Sequence, residues 1–156
     1  MISFLHKPKI FVELGTYDGF SFLSFYRKDM EKAYAIDTWQ GDTFMSYPSE
    51  IEDNFRQRVR DYPNVTILKS TFENAFPLVP NDIDLLHIDG SHDYGSVKKD
   101  FELYFPKCRK GSLIVFHDIF VDNPDFGVRK YFEERESEFE SLKLDFSCGL
   151  GIFKKG

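Results

Sequence analysis

Short apolar runs alternate with longer segments of mixed polarity along most of the chain. Five runs are strand candidates: "KIFVEL", "AYAID", "VTILK", "IDLLHID" and "SLIVFHD". Most of the segments between them have helical character, and such alternation is typical of an α/β domain with a parallel sheet. The runs are nearly continuous in apolar residues, which indicates strands that are covered on both faces of the sheet.

The strongest helix prediction lies between the fourth and fifth runs. Apolar residues recur there at spacings of three and four, from Tyr94 to Phe105, with charged residues between them. Pro106 is expected to end this helix, and Gly111 to provide the turn into the fifth strand. Three further helices are predicted in "FSFLSFYRKDM", "SEIEDNFRQRVRDY" and "GVRKYFEERESEFE".

The C-terminal tail contains two extended segments that are separated by only Ser147, Cys148 and Gly149. A helical crossover does not fit into so short a connection, so the two segments are predicted to be antiparallel neighbours. The chain as a whole, residues 1–156, is predicted to be one doubly wound α/β domain. Its sheet is mostly parallel with an antiparallel C-terminal strand.

Composition narrows the classes of partner. The net charge of −6 argues against a nucleic-acid surface, which normally carries clustered basic residues. No run of 18 apolar residues is present, so no membrane segment is expected. The two cysteines, Cys108 and Cys148, fit neither a disulfide framework nor a zinc site, which favours a reducing, cytoplasmic location.

The exits of the first two strands indicate the kind of ligand. In an open parallel sheet, ligands bind beyond the carboxyl ends of the strands. Gly15 and Gly19 permit a tight turn, but the G-x-G-x-x-G pattern is absent and Glu13 would repel a pyrophosphate. Asp37 ends the second strand, where an acidic side chain can accept both hydroxyls of a ribose. A ligand with a ribose, a positive charge and no phosphate is expected, and S-adenosylmethionine (SAM) fits.

The fourth and fifth strands end in Asp89 and Asp118. If these strands are neighbours, the two carboxylates lie a few ångströms apart and repel unless a proton or a cation separates them. Oxygen ligands favour Mg²⁺, Mn²⁺ or Ca²⁺. His92 follows closely, and the unperturbed pKa of histidine near 6.5 makes it a candidate general base.

With these residues the chain resembles class I SAM-dependent methyltransferases. More narrowly, it is similar to the small O-methyltransferases of the macrocin type that are associated with polysaccharide pathways. The resemblance rests on "VELGTYDGFS", "AIDTWQGD", "LLHIDGSHDYGSVKKDFELYFPK", "GSLIVFHDI", "FGVRKYFEE" and "GLGIF", which span nearly the whole chain. Only about nine residues precede the first strand, where larger relatives often have helices that cover the substrate.

The resemblance implies a Rossmann-like sheet of seven strands and a set of site residues. The implied cofactor-binding residues are Glu13, Gly15, Thr16, Tyr17 and Ser21 for the methionine part of SAM, Asp37 and Thr38 for the ribose, Ser70, Thr71 and Phe72 for the adenine, and Asp89. The implied metal ligands, for a divalent cation such as Mg²⁺, are Asp89 and Asp118, with His117 as a further ligand. The implied catalytic base is His92. The implied acceptor is a hydroxyl of a sugar or of a glycosylated small molecule.

Several alternatives stay open from the sequence. A nicotinamide-dependent oxidoreductase and a catalytically silent SAM-binding module are alternative functions, and a homodimer is not excluded. His87 is expected to be a packed histidine, whereas His117 is equally suited to a structural role and to metal ligation. Asp93 is expected to cap the following helix. Trp39, Phe44 and Tyr47 either stack on a ligand or simply pack.

Overall fold

The computed structural model describes residues 6–41 and 46–156. Its strands are β1 (Ile10–Leu14), β2 (Lys32–Asp37), β3 (Val65–Lys69), β4 (Ile83–Ile88), β5 (Cys108–His117), β6 (Glu140–Leu144) and β7 (Leu150–Lys154). Its α-helices are α1 (Phe20–Phe25), α2 (Ile51–Val59), α3 (Phe72–Ala75), α4 (Tyr94–Tyr104) and α5 (Val128–Arg135). Short 3₁₀ helices follow α3, α4 and α5, at Phe76–Leu78, Phe105–Lys107 and Glu136–Glu138.

The seven strands form one sheet in the order β3-β2-β1-β4-β5-β7-β6. The first five strands pair in parallel, and β7 is antiparallel to both of its neighbours, β5 and β6. This confirms the predicted α/β class, the mostly parallel sheet and the antiparallel C-terminal strand. The strand order reverses between β1 and β4, so the loops that follow these two strands diverge and leave a crevice between them.

Alternate residues of the central strands face two different cores. Along β1, Val12 and Leu14 belong to the core under α4 and α5, whereas Phe11 packs with Phe22 and Phe25 of α1. By the same alternation, Glu13 faces the α1 side of the sheet. The strands are therefore covered on both faces, as the continuous apolar runs predicted.

The structure corrects the prediction for Gly111. This residue lies inside β5 rather than in a turn before it, with φ +81° and its N–H donating to the carbonyl of Lys155 at 2.7 Å. The β4–β5 register shifts between Ile83 and Leu85, which is the mark of a β-bulge. The fifth strand accordingly begins at Cys108, four residues before the apolar run that predicted it.

The helix ends also differ from the prediction. Helix α1 stops at Phe25, because Tyr26 is extended, and Arg27 then donates two hydrogen bonds of 2.8 Å to Asp29 within a turn. Helix α4 ends at Tyr104, and Asp93 caps its start by accepting from the N–H of Ser96 at 3.0 Å. The capping role predicted for Asp93 is confirmed. Burial raises the pKa of the Cys108 thiol to about 12, which keeps it protonated at neutral pH.

Among the described residues, no helix has the length and apolar character that a membrane crossing requires.

Candidate functional site

The loops that follow β1 and β4 meet at the reversal of strand order. The N–H of Asp89 donates to the carbonyl of Leu14 at 2.8 Å, and the N–H of Gly15 donates to the carbonyl of Ile36 at 2.9 Å. Gly15 has φ +86°, and a Cβ there would collide with the backbone carbonyl of Asp89. A glycine is needed at position 15 because the two loops touch through their backbones.

Asp37 organises the first loop. Its Oδ2 accepts from the N–H groups of Thr16 and Tyr17 at 2.9 and 2.8 Å, and its Oδ1 accepts from the N–H of Trp39 at 2.7 Å. Burial raises the pKa of the Asp37 carboxyl, and these backbone donors oppose that rise. A carboxylate has about four acceptor positions. At most one position is left for a ribose hydroxyl in this arrangement, and the ribose role of Asp37 stays a prediction.

The residues predicted to border the adenine follow β3, and Thr38, predicted to hold the ribose, follows β2 on the same edge of the sheet. The N–H of Ser70 donates to the carbonyl of Asp37 at 2.9 Å, and Thr71 caps α3 by accepting from Asn74 at 3.3 Å. Thr38 Oγ1 accepts from the N–H of Gln40 at 3.3 Å. The ring of Phe72 lies so close to Gly90 that a Cβ at position 90 would be 2.6 Å from it. Phe72 thus brings the segment that follows β3 into contact with the loop that follows β4.

Of the aromatic residues in the long loop after β2, two can be described. Trp39 is buried, stacks on Phe55 at 5.8 Å between ring centroids, and donates from Nε1 to the carbonyl of Tyr17 at 2.8 Å. These contacts support the packing interpretation for Trp39. Tyr47 contacts the ring of Tyr17 at 4.7 Å. Phe44 lies outside the described residues.

Two carboxylates and two imidazoles meet where β4 and β5 end. His92 Nε2 is 2.8 Å from Asp118 Oδ2 and 3.7 Å from Asp89 Oδ1. His117 Nδ1 is 2.9 Å from Asp118 Oδ1 and 3.4 Å from Asp89 Oδ1. Asp118 has φ +64°, an uncommon conformation for a residue other than glycine, and such conformations concentrate at functional sites. We refer to these four residues as the Asp–His cluster.

The charges of the Asp–His cluster are mutually dependent. Burial alone would lower the pKa of His92, but contacts with Asp118 and Asp89 outweigh it and raise the pKa to about 9. The same balance, with Asp118 and Asp89 again opposing burial, raises the pKa of His117 to about 10. Burial alone would raise the pKa of Asp89, but His117 and His92 hold it well below its usual range. Both imidazoles are therefore protonated at neutral pH when no other cation is present.

A cleft of about 1060 Å³ opens beside the Asp–His cluster. All four members of the cluster line it, together with Gly15, Thr16, Tyr17 and Ser21 from the first loop and the start of α1. Four aromatic residues also line the cleft: Phe20, Tyr47, Phe126 and Phe146. The cleft is large enough to hold a nucleoside cofactor and a small acceptor side by side.

Glu13 and His87 form a buried pair beneath the cleft. They face each other across β1 and β4, and Glu13 Oε1 is 2.8 Å from His87 Nδ1. Both residues are fully buried, and burial raises the pKa of Glu13 while His87 opposes that rise. His87 is among the residues that line the cleft, whereas Glu13 is not. The prediction that Glu13 itself lines the ligand site is therefore not met by this cleft.

Sequence reasoning missed three contributors to the site. His87 was expected only to pack, although it lines the cleft. Phe126 stacks on the ring of His92 at 4.5 Å, and Ser147 Oγ lies 3.4 Å from His117 Nε2. Ser147 and Cys148 both have positive φ, at 49° and 64°. Because the β6–β7 connection was treated only as a turn, nothing in its sequence pointed to a role in the cleft.

A further buried carboxylate, Asp100 on α4, lies behind the β4 loop. Its Oδ2 is 3.3 Å from the position that a Cβ on Gly90 would occupy, and the residue is 5% exposed. Burial, with the negative charge of Glu73 in addition, raises the pKa of Asp100 to about 7. In the unfolded chain the pKa is near 3.9. The folded protein therefore loses stability as the pH rises from about 4 to 7, because only the unfolded state ionises freely in that range.

We expect Asp100→Asn to stabilise the protein at pH 8 by on the order of 2 kcal/mol, and to have no such effect at pH 4. Thermal unfolding at both pH values measures the difference. Glu102→Gln, an exposed change on the same helix, is the control and should give no pH-dependent gain. An equal gain at pH 4 and pH 8 would attribute the effect to packing rather than to ionisation.

Comparison with known protein families identifies the family of this chain. The family described as "Methyltransferase domain" matches residues 12–119, which include most of β1, all of β2 to β5 and the Asp–His cluster. The chain belongs to this methyltransferase family. Membership argues against the alternative of a nicotinamide-dependent oxidoreductase.

Two relatives with more than 30% sequence identity to this chain are named only as uncharacterized proteins. A protein of Sinorhizobium fredii, "Uncharacterized protein y4gI", is 36% identical over 154 residues, which cover 94% of this chain and 17% of that protein. A protein of Acanthamoeba polyphaga mimivirus, "Uncharacterized protein R132", is 34% identical over 118 residues, which cover 69% of this chain and 50% of that protein. The methyltransferase chain thus spans half or less of the length of these relatives.

Solved methyltransferase structures have the same fold at low identity. A Staphylococcus aureus protein provisionally assigned as a caffeoyl-CoA O-methyltransferase gives a TM-score of 0.77 at 20% identity, covering 99% of this chain and 79% of that one. The SAM-bound O-methyltransferase TomG of Streptomyces achromogenes gives 0.72 at 15% identity, covering 99% and 77%. The S-adenosylhomocysteine-bound PaMTH1 of Podospora anserina gives 0.71 at 17% identity, covering 99% and 75%.

Proposed function

We propose that this protein is a SAM-dependent O-methyltransferase whose acceptor is activated with the help of a divalent cation. The observation that carries the proposal is the Asp–His cluster, which lies at one cleft together with the glycine turn after β1. A cofactor bound at the turn would occupy the same cleft as the cluster. The names of the SAM-bound and S-adenosylhomocysteine-bound neighbours give the cofactor class.

The cofactor would lie across the carboxyl ends of β1 to β4. In the proposed arrangement its methionine part meets Gly15, Thr16, Tyr17 and Ser21, all of which line the cleft. Thr38 and the remaining acceptor position of Asp37 meet the ribose, and Ser70, Thr71 and Phe72 border the adenine. The tight contact between Gly15 and Asp89 supports this arrangement, because it holds the proposed cofactor turn against the loop that carries Asp89.

The donor set of the Asp–His cluster fits a divalent cation. Ligand atoms of Asp89, His92 and Asp118 all lie within 4.8 Å of one another, and His117 Nδ1 approaches both carboxylates. Carboxylate oxygens suit Mg²⁺ and Mn²⁺, and an imidazole ligand would favour Mn²⁺ over Mg²⁺. We assign Asp89 and Asp118 as ligands, with His117 as a further ligand. A bound cation would lower the pKa of the acceptor hydroxyl and orient it.

His92 is then the proposed general base. With both carboxylates engaged by a cation, His92 loses the interactions that raise its pKa and becomes able to accept a proton at neutral pH. The hydroxyl proton of the acceptor would pass to Nε2 of His92 as the oxygen bonds to the methyl carbon. The electron pair of the broken carbon–sulfur bond would stay on sulfur, so that S-adenosylhomocysteine is the second product. Stacking on Phe126 holds the imidazole ring in place.

The proposed acceptor is a sugar or a glycosylated small molecule with a free hydroxyl. The aromatic residues that line the cleft support a sugar acceptor, because the apolar face of a sugar ring can pack on aromatic side chains such as Phe20 and Tyr47. Phe20 is 66% exposed and Phe146 is 56% exposed, so both rings have contact area available for an acceptor.

Transfer of tritiated methyl from SAM to a panel of nucleotide sugars and glycosides, with and without Mg²⁺ or Mn²⁺, tests the function. A simple catechol in the same panel tests the acceptor class. Transfer to at least one sugar is expected. Transfer to the catechol alone would reject the sugar assignment and keep the enzyme class, whereas failure to bind SAM by calorimetry would reject the function as a whole.

We expect EDTA to abolish methyl transfer and added Mn²⁺ or Mg²⁺ to restore it. Cation affinity should increase between pH 7 and pH 9, because binding must displace protons from imidazoles with pKa values of about 9 and 10. Calorimetry with the cation alone measures the affinity. An undiminished transfer rate after chelation and dialysis would show that no cation takes part.

A further inference from the structure

We propose that His87 is a cofactor-binding residue, whose Nε2 accepts a hydrogen bond from the ammonium group of the cofactor's methionine part. The inference rests on the proposed use of SAM and adds a residue that sequence reasoning had set aside as packing. It depends on three features of the Glu13–His87 pair: a buried nitrogen without a hydrogen-bond partner, an imidazole ring held in one orientation, and a position at the cleft.

The first feature is the absence of a hydrogen-bond partner for a buried nitrogen. Among residues 6–41 and 46–156, no hydrogen-bond partner is found for His87 Nε2 or for Glu13 Oε2, although both atoms are buried. Buried polar atoms nearly always have a partner, and an exception calls for an explanation such as a bound ligand. Of these two residues, His87 is the one that lines the cleft. Its Nε2 is therefore the one of these two atoms that belongs to a residue bordering the cleft.

The second feature is the orientation of the ring. Nδ1 of His87 is held 2.8 Å from Glu13 Oε1, and the ring packs on Phe25 with 4.9 Å between centroids. When Nδ1–H donates to the carboxylate, Nε2 is left as an acceptor. In that hydrogen-bonding arrangement the carboxyl group of Glu13 lies directly behind the imidazole ring, and Nε2 keeps a free lone pair. This combination suits a cationic donor.

The third feature is the location. Glu13 interacts with Ser21, which lines the cleft near Gly15 and Thr16, where the methionine part of the cofactor is proposed to bind. On the other side the His87 ring is 6.3 Å from that of His117, centroid to centroid. His87 thus lies between the cofactor turn and the Asp–His cluster. The amino-acid end of SAM carries the ammonium group that such an acceptor would bind.

The affinities of three ligands distinguish binding of the ammonium group by His87 from a purely structural role of this residue. SAM and S-adenosylhomocysteine both have the amino-acid end, whereas 5′-methylthioadenosine has the nucleoside and the thioether without it. We expect His87→Phe, which keeps a ring against Phe25, to weaken SAM and S-adenosylhomocysteine about tenfold and to leave methylthioadenosine unchanged. Calorimetry on the wild type and the variant measures all three affinities.

His87→Phe leaves Glu13 buried without its partner, so the variant is at risk of misfolding. Glu13→Leu/His87→Phe removes both polar groups and is the second variant, for which the same selective loss is expected. Parallel losses for all three ligands in the folded variants, or no loss for any of them, would overturn the role of His87 alone. If the wild-type protein binds neither SAM nor S-adenosylhomocysteine, the proposed function fails and this inference fails with it.

Discussion

Replacing His92 with alanine is expected to lower the rate of methyl transfer by about 100-fold to 10,000-fold while SAM still binds. His92 lies 2.8 Å from Asp118 and stacks on Phe126, and the predicted cofactor contacts do not include its side chain. Removing it therefore removes the proposed acceptor of the hydroxyl proton without disturbing the turn at Gly15. Single-turnover transfer with the acceptor found in the panel gives the rate, and calorimetry gives the SAM affinity.

Asp93→Asn is the matched control for His92→Ala. Asp93 is the next residue, but its side chain caps α4 by accepting from Ser96, and asparagine caps helices equally well. Its activity should stay close to that of the wild type. A large loss in this control would show that the β4–α4 loop is too sensitive for the His92 result to be interpreted.

Metal affinity decides between the two roles that the geometry allows His92. If it is the base, His92→Ala binds Mn²⁺ as the wild type does, and His117→Ala binds it 10-fold to 100-fold more weakly. If His92 is instead a ligand, the affinities are reversed and excess Mn²⁺ restores part of the rate to His92→Ala. Unchanged methyl transfer in His92→Ala would reject His92 as the base. SAM binding by the wild type without transfer to any acceptor in the panel would favour the third alternative, a SAM-binding module without catalysis.

The other large effect is expected for Gly15→Ala. A methyl group at position 15 would collide with the carbonyl of Asp89, and the backbone there has φ +86°. We expect a loss of about 3 kcal/mol in the free energy of unfolding, roughly 10 °C in Tm, from the strain and the displaced loop together. SAM affinity should fall at least tenfold, because Gly15 and Asp89 lie at the proposed cofactor site. Thermal unfolding and calorimetry measure the two effects.

Gly111→Ala separates collision from strain. Gly111 has a similar φ of +81°, but a Cβ there would have no atom within 4 Å. This control should lose only about 1 kcal/mol of stability and no SAM affinity. If Gly15→Ala is no worse than Gly111→Ala, the contact between the β1 and β4 loops is not what makes glycine necessary at position 15.

The sequence by itself determined the class of fold and the positions of the chemistry. Apolar runs predict strands because each buried strand needs an apolar surface whatever its neighbours are, and the short tail connection allows only antiparallel strands. The polar residues that follow the fourth and fifth runs, Asp89, His92 and Asp118, could be predicted to meet because parallel strands present their carboxyl ends at one edge.

Only the tertiary structure decided how these side chains are paired. Glu13 and His87 are 74 residues apart and meet because the β1–β4 register places them side by side. The same holds for Asp37, which accepts backbone N–H groups from a loop 20 and 21 residues away, and for Gly111, whose bulge depends on pairing with Lys155. Local periodicity records which face of an element is buried. Register and loop geometry depend instead on contacts between distant segments, which no local pattern contains.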